Sequence, residues 1–232
     1  MRIINFLLLG FIIIPACTSE NAQPDPSRSG PAYFPLEKGQ FRIYDIQSVE
    51  YLFTDQNIER NYQLKEVVAD TFRNLEGGIS YRIERYFREN EADEWEQESE
   101  VWSARINDTQ AIQVEENISL LKLVFPLREN KKWDAHALTD SEEDEYEMVN
   151  LFQPFPSADS VAFEKTITVI QEEVTENILF RDIKKEVYGY NIGLVHKEIT
   201  ELEYCADNDC LGQSIIESGL EYRQHLVEYG KE

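Results

Sequence analysis

The sequence predicts an all-β protein with only a minor helix, built from a single curved antiparallel sheet. Long segments alternate apolar and polar residues with a period of two, and short glycine-rich or polar breaks separate them. No stretch of about 12 or more residues has the pattern of an amphipathic helix. Roughly ten strands in succession would form a meander that curls into a half-open or closed β-barrel.

The clearest hairpin is formed by "YQLKEVVADTF" and "ISYRIERYF". The first segment places four large residues on one face, namely Tyr62, Leu64, Val68 and Phe72. Gly77 and Gly78 lie between the segments and can adopt the positive φ values that tight β-turns require. The charged residues at intervening positions predict that one face of the sheet contacts water, as in antiparallel sheets.

One region departs from this pattern. "KKWDAHALTD" and the acidic stretch to Glu147 predict an irregular insertion, in which "LTDSEEDEYEMVNLF" could hold a short helix. The two prolines of "FQPFPSADS" disfavour a central strand. We expect this region to be a long connection across one mouth or edge of the sheet.

Residues 1–16 predict a secretory signal peptide. Arg2 precedes an apolar run that ends at Ile14 and is followed by Pro15 and Ala16. A membrane-spanning helix needs about 20 apolar residues, whereas a charged start, an apolar core of about 7 to 15 residues and a small residue before the cut describe a signal peptide.

The segment "IPAC" resembles the lipobox of bacterial lipoproteins, with Ile14 three residues before Cys17 and Ala16 just before it. The resemblance implies cleavage before Cys17, a diacylglycerol thioether on its sulfur and an acyl chain such as palmitate on its amino group. Several acyl chains together give stable membrane anchoring. We expect Cys17 to be the lipidation site; the alternatives are an ordinary signal peptide with an incidental cysteine, or an uncleaved anchor.

Residues 17–32 predict a lipidated flexible tether, and residues 33–232 a single antiparallel β domain. "TSENAQPDPSRSGPA" contains three prolines and three serines and almost no large apolar side chain, so it cannot bury enough surface to order itself. Thr18 stands where some enteric bacteria use an aspartate to retain lipoproteins in the inner membrane. By analogy we expect the outer membrane, with the domain facing the periplasm or the cell surface.

The charge of the chain limits its partners. The 45 acidic residues exceed the 22 basic ones, which gives a formal net charge of −23. Such a field repels nucleic acids and anionic membrane surfaces, so we expect no nucleic-acid partner. The acidity serves solubility or, alternatively, forms an acidic face that binds a partner.

Cys205 and Cys210 remain once Cys17 carries lipid. An even pair in an exported chain predicts a disulfide, which would close a tight loop at the tip of a hairpin and stabilise the fold little. Free thiols, or a redox or metal function, are the alternatives. A redox role is disfavoured because the spacing is not C-x-x-C.

Three phrases are similar to exported lipoproteins of Bacteroidota and related bacteria. "YFPLEKGQFRIYDI" (residues 33–46) resembles their "YFPL-x-x-G-x-x-W-x-Y" opening, with Phe41 in place of tryptophan. "WDAHA" (133–137) and "YGYNIGLVHKE" (188–198) resemble later landmarks, the second a "G-x-G-L-V" signature. The resemblance implies no assigned activity. It implies a β-rich fold like the half-open barrels of periplasmic lipoprotein carriers, which cup a hydrophobic ligand.

No sequence motif indicates catalysis or a cofactor. The three histidines, His136, His196 and His225, lack metal-ligand spacing, although a zinc site assembled in space stays open. The nucleophile motif G-x-S-x-G and the glycine-rich phosphate loops are missing. We expect a non-catalytic, lipid-anchored envelope protein that binds an envelope protein or other ligand. The alternatives are a carrier of lipid or another hydrophobic molecule, and a glycan-acting envelope hydrolase with two facing carboxylates.

Overall fold

The fold is described from a computed structural model that covers residues 28–53, 56–156 and 162–232. The predicted signal peptide, the lipidation site Cys17 and tether residues 18–27 lie outside these ranges. Residues 28–32, also assigned to the tether, are described and pack against the barrel. No helix among the described residues has the length and apolarity to span a membrane.

Twelve strands in the described ranges form one antiparallel sheet. They are β1 (Gln40–Tyr51), β2 (Asn57–Arg73), β3 (Ile79–Arg88), β4 (Glu96–Ile106), β5 (Gln110–Glu115), β6 (Ile118–Val124), β7 (Lys131–Asp134), β8 (Glu145–Phe155), β9 (Phe163–Val174), β10 (Phe180–Gly189), β11 (Gly193–Tyr204) and β12 (Ile216–Lys231). The sheet nearly closes into a barrel, with one unsealed seam. The predicted fold class is confirmed, with two strands more than expected.

The seam lies in the middle of the chain. The strand order is β6-β5-β4-β3-β2-β1-β12-β11-β10-β9-β8-β7, so the first and last strands pair and the sheet ends at β6 and β7. Hydrogen bonds join these ends: for example, the Leu121 amide donates to the Ala135 carbonyl (2.9 Å), and Trp133 Nε1 donates to the Leu121 carbonyl (2.7 Å).

In the predicted irregular insertion only residues 135–144 are irregular, and the predicted short helix is wrong. This region contains β7 and the long strand β8, because Tyr146 and Met148 alternate with charged residues and are both buried in the core. The expected edge position is correct. Pro154 fits into β8 because β7 pairs only with residues 145–148, so the later part of β8 has no strand on that side among the described residues.

The predicted apolar face of β2 is interrupted. Leu64 and Val68 are buried as expected, but Phe72 is 46% exposed. The register of β2 against β3 shifts between Val68 and Asp70, and one extra residue reverses which face the later side chains occupy.

The segment before β1 packs against the barrel at the end where the chain enters, which we call the proximal end. Pro31–Tyr33 forms a short 3-10 helix, and the Asn191 amide, in the β10–β11 turn, donates to the Ala32 carbonyl (2.8 Å). Tyr33 is fully buried, edge-on to Tyr190 at 5.6 Å between ring centroids. The "YFPL" opening is thus part of the main hydrophobic core.

Candidate functional site

A small polar cavity lies inside the barrel, next to the segment that precedes β1. Its volume is about 50 Å³, and Phe34, Pro35 and Leu36 form part of its wall. Six charged side chains also line it: Arg42, Glu66, Glu115, Lys122, Glu186 and Lys197. Charged groups inside a barrel are costly unless they are paired, so their partners decide what this cavity can do.

Lys122 and Glu186 form the central ion pair, with Nζ 2.7 Å from Oε1. Their side chains are 4% and 2% exposed. Lys122 Nζ also lies 3.3 Å from Glu115, and the Tyr188 hydroxyl donates to Glu186 (2.5 Å). Because β6 and β10 are not neighbours in the sheet, the pair connects two walls across the interior.

A register irregularity places Lys122 in this position. On β6, Leu121 and Leu123 pair with consecutive residues of β5, and Lys122 between them has no partner in that strand. An extra residue of this kind interrupts the alternation of inward and outward side chains along the strand, so its own side chain can point into the barrel. A lone lysine within the apolar run "SLLKLVF" is the sequence signal for this feature.

The ion pair keeps both of its members charged. Burial alone would raise the pKa of Glu186, but the ammonium groups of Lys122 and Lys197, with hydrogen bonds from Lys122 and Tyr188, lower that pKa to about 2. Burial would lower the pKa of Lys122, yet Glu115 and Glu186 raise it well above its usual value. Glu66, also buried, has a raised pKa because desolvation outweighs the nearby Arg85 and Arg42.

Arg42 connects the cavity wall to the proximal end. Its Nε donates to the Ile192 carbonyl (2.5 Å) and its Nη2 to the Pro35 carbonyl (3.1 Å). Gly193 has φ +94°, and a Cβ there would lie 2.7 Å from Arg42 Nε. A glycine is therefore required in "NIGLV" both for its backbone conformation and for the close approach of the guanidinium group.

The cavity is suited to a few water molecules. A volume of 50 Å³ is well below the roughly 300 to 1,000 Å³ of usual ligand pockets. Two carboxylates, Glu115 and Glu186, contact the same lysine, and the low pKa of Glu186 keeps this carboxylate charged within the ion pair. The arrangement is that of a structural network.

A second polar cluster lies on the outer face of β10, β11 and β12. Lys197 and Gln224 line the interior cavity, so the adjacent residues His196 and His225 face outward. These two histidines are directly paired across β11 and β12, with their Nδ1 atoms 3.2 Å apart. Phe155 stacks on His196 at 5.1 Å and covers one side of an open groove.

Both histidines favour the neutral form. Burial, then the neighbouring His225, lowers the pKa of His196 to about 4, although Glu198 opposes this. Burial and Arg223 lower the pKa of His225, against Glu198 and Asp45. The Nδ1 of His196 lies 3.1 Å from the Gln224 carbonyl, and because a carbonyl only accepts, this nitrogen carries the proton.

We expect acid to destabilise the protein through His196. Its pKa is about 4 in the folded state against 6.5 ordinarily, so the unfolded state binds the proton first as the pH falls. The stabilisation is complete above pH 6.5 and is lost progressively down to about pH 4, by an amount on the order of 3 kcal/mol. Urea unfolding across this pH range measures the effect.

The variant His196→Gln should remove this part of the acid sensitivity. His136→Gln is the matched control, because His136 lies apart from the cluster and its Nδ1 contacts the Glu142 carbonyl near the surface. Equal acid sensitivity in wild type and His196→Gln would contradict the assignment.

The structure also shows where the predicted cysteines and the possible metal ligands lie. Cys205 and Cys210 form a disulfide, with Cα atoms 5.8 Å apart, whereas Cys17 lies outside the described residues. Across residues 28–53, 56–156 and 162–232, no group of three His, Cys, Asp or Glu side chains is placed to hold a metal ion. The pairing of His196 with His225 was missed, because a separation of 29 residues carries no local signal.

Comparison with known proteins gives two similar solved structures. One is a protein from Bacteroides fragilis assigned as exported, with a YmcC-like fold; it is 12% identical, with a TM-score of 0.45 over 85% of this chain and 98% of that chain. The other is a protein from Parabacteroides distasonis assigned as a lipoprotein, 9% identical, with a TM-score of 0.42 and the same coverages. No protein-family model matches the sequence, and no curated protein matches it significantly.

Proposed function

We propose that this chain is a non-catalytic lipoprotein of the cell envelope, anchored by lipid on Cys17, whose barrel binds a partner through its outer surface. The observation that carries the proposal is the small size of the enclosed polar cavity. The described part of the barrel encloses a cavity of about 50 Å³, and the ion pairs across it are already satisfied. We infer that binding uses surfaces open to solvent rather than this enclosed cavity.

The anchor and its membrane are supported by the sequence. The short apolar run, the small residues before Cys17 and the proline-rich tether are the features that favour lipidation over a membrane span. Thr18 favours the outer membrane over retention in the inner one. The tether allows the domain to act at some distance from the bilayer.

The size of the cavity counts against a lipid carrier. A carrier needs a pocket of roughly 300 to 1,000 Å³ that encloses its ligand, whereas the enclosed cavity has about 50 Å³ and the larger space of about 620 Å³ beside Ser48, Tyr62 and Phe87 is a cleft open to solvent. Organic extraction of the purified full chain followed by mass spectrometry tests this point. We expect no stoichiometric lipid beyond the covalent acyl chains, and a bound lipid in molar amounts would favour the carrier.

Replacing Cys17 by alanine should abolish lipid attachment. In cells grown with a labelled fatty acid, we expect label on the wild-type protein and none on Cys17→Ala, because the thioether and the new amino terminus both depend on this residue. The double variant Cys205→Ser, Cys210→Ser is the control and should keep the label. Equal labelling of wild type and Cys17→Ala would overturn the proposed anchor.

A further inference from the structure

Exposed apolar side chains form a group of three around the β2–β3 turn and a larger group at the end of the barrel opposite the entry of the chain. We call this the distal end, where the β1–β2, β9–β10 and β11–β12 connections lie. The larger group, named the apolar rim, has exposures from 39% to 75% and consists of Phe53, Ile178, Leu179, Phe180, Leu211 and Ile215. Grouped exposed apolar residues are typical of interaction surfaces, whereas single ones need no explanation.

The rim is continuous because its segments are hydrogen-bonded neighbours. The Tyr204 amide donates to the Leu179 carbonyl (2.7 Å), and the Cys205 amide donates to the Ile215 carbonyl (2.8 Å). The first bond places the β9–β10 connection beside the start of the β11–β12 connection, and the second joins the two ends of the β11–β12 connection. Phe53 follows β1, which pairs with β12 up to Gly219, so it belongs to the next connection along the same arc.

The loop that carries Leu211 and Ile215 is held rigid. The disulfide between Cys205 and Cys210 lies within it, the Leu211 amide donates to the Asp207 carbonyl (2.9 Å), and Gln213 Nε2 donates to the Asp209 carbonyl (2.7 Å). A disulfide across so short a loop adds little global stability. Its effect is to keep the exposed residues in one arrangement, which lowers the entropy lost on binding.

The charges beside the rim indicate the chemistry of its partner. Segments 175–181 and 205–217 contain four acidic residues, Glu176, Asp207, Asp209 and Glu217, and one basic residue, Arg181. With a net charge of −23, this surface repels anionic bilayers and a second copy of the chain. It attracts a surface on which apolar side chains are bordered by cationic ones.

We propose that the apolar rim is the docking surface for a protein partner that presents an apolar patch edged by lysine or arginine. The inference rests on the proposed function, since it says which part of the outer surface binds and what it binds. The apolar side chains supply the contact area, and the acidic residues exclude membranes and self-association.

The test uses a synthetic amphipathic peptide of leucine and lysine as the probe, with the full-length protein. The variant Ile178→Ser, Leu211→Ser, Ile215→Ser removes half of the rim. The matched control is Phe72→Ser, Leu75→Ser, Ile79→Ser, which removes three exposed apolar side chains around the β2–β3 turn at the proximal end. We expect the rim variant to weaken peptide binding at least about tenfold and the control to leave it unchanged.

Three results would overturn the proposal. One is equal weakening by the two triple variants; another is equally tight binding of a serine and lysine peptide, which would mean that charge alone acts. The third is rim-dependent binding to anionic vesicles or rim-dependent dimerisation, which would assign the rim to lipid or to a second copy. Fatty-acid labelling of the same variants tests the lipid anchor separately from the apolar rim. If the label is missing but peptide binding is intact, only the proposed lipid anchor is overturned.

Discussion

Replacing Lys122 by methionine should lower the free energy of unfolding by about 3 to 5 kcal/mol. The change leaves Glu186 charged and buried in the barrel, with the Tyr188 hydroxyl as a donor and Lys197 at 3.7 Å. An uncompensated buried charge of this kind is among the most damaging changes that a single substitution makes. Urea unfolding at pH 7, followed by tryptophan fluorescence, measures the loss.

Lys132→Met is the matched control. Lys132 makes an ion pair of the same length, 2.7 Å to Glu145, but its side chain is about half exposed, so its loss should cost less than about 1 kcal/mol. The double variant Lys122→Met, Glu186→Leu should be more stable than Lys122→Met alone, because it removes the stranded charge together with its partner. A similar loss for Lys122→Met and Lys132→Met would show that the buried pair is unimportant.

Replacing Phe34 by alanine should also cost about 3 to 5 kcal/mol. Phe34 is buried beside Tyr188, with ring centroids 6.2 Å apart, and forms part of the cavity wall. Its removal leaves a void where the segment before β1 meets the barrel, so this segment should also open more readily. We expect faster cleavage by trypsin after Lys38 in addition to the lower free energy of unfolding.

Phe34→Leu and Phe72→Ala serve as controls. Leucine keeps most of the buried volume and should recover much of the stability, whereas Phe72 is a similar ring on an exposed site and should matter little. If Phe34→Ala and Phe72→Ala have the same effect, the segment before β1 is not part of the folded core.

The strand content was predictable because alternation along a strand is a local property. Leu64 and Val68 are buried where the period of two places them. The prediction failed in the acidic stretch at the start of β8, where charged residues indicated a loop or helix although Tyr146 and Met148 still alternate inward. It failed again at Phe72, because an irregularity in the pairing of β2 with β3 changes the face.

The polar sites could not be predicted in the same way. Lys122 and Glu186 are 64 residues apart, and His196 and His225 meet only because β11 and β12 pair in one register. Cross-strand register depends on the whole sheet, and no local pattern reports it. The apolar rim is a similar case, since its residues come from three separate connections.

By itself, the sequence predicts a location for this protein and determines its type of secondary structure. The apolar run before Cys17 predicts export and lipidation, and the alternating segments predict an antiparallel β domain, because both signals are written in consecutive residues. Only the tertiary structure decided that β1 pairs with β12, that the seam lies between β6 and β7, and that Lys122 and Glu186 pair inside the barrel. These features depend on contacts between residues that are far apart in the chain. Such contacts stabilise the fold only once the sheet has closed and brought the residues together.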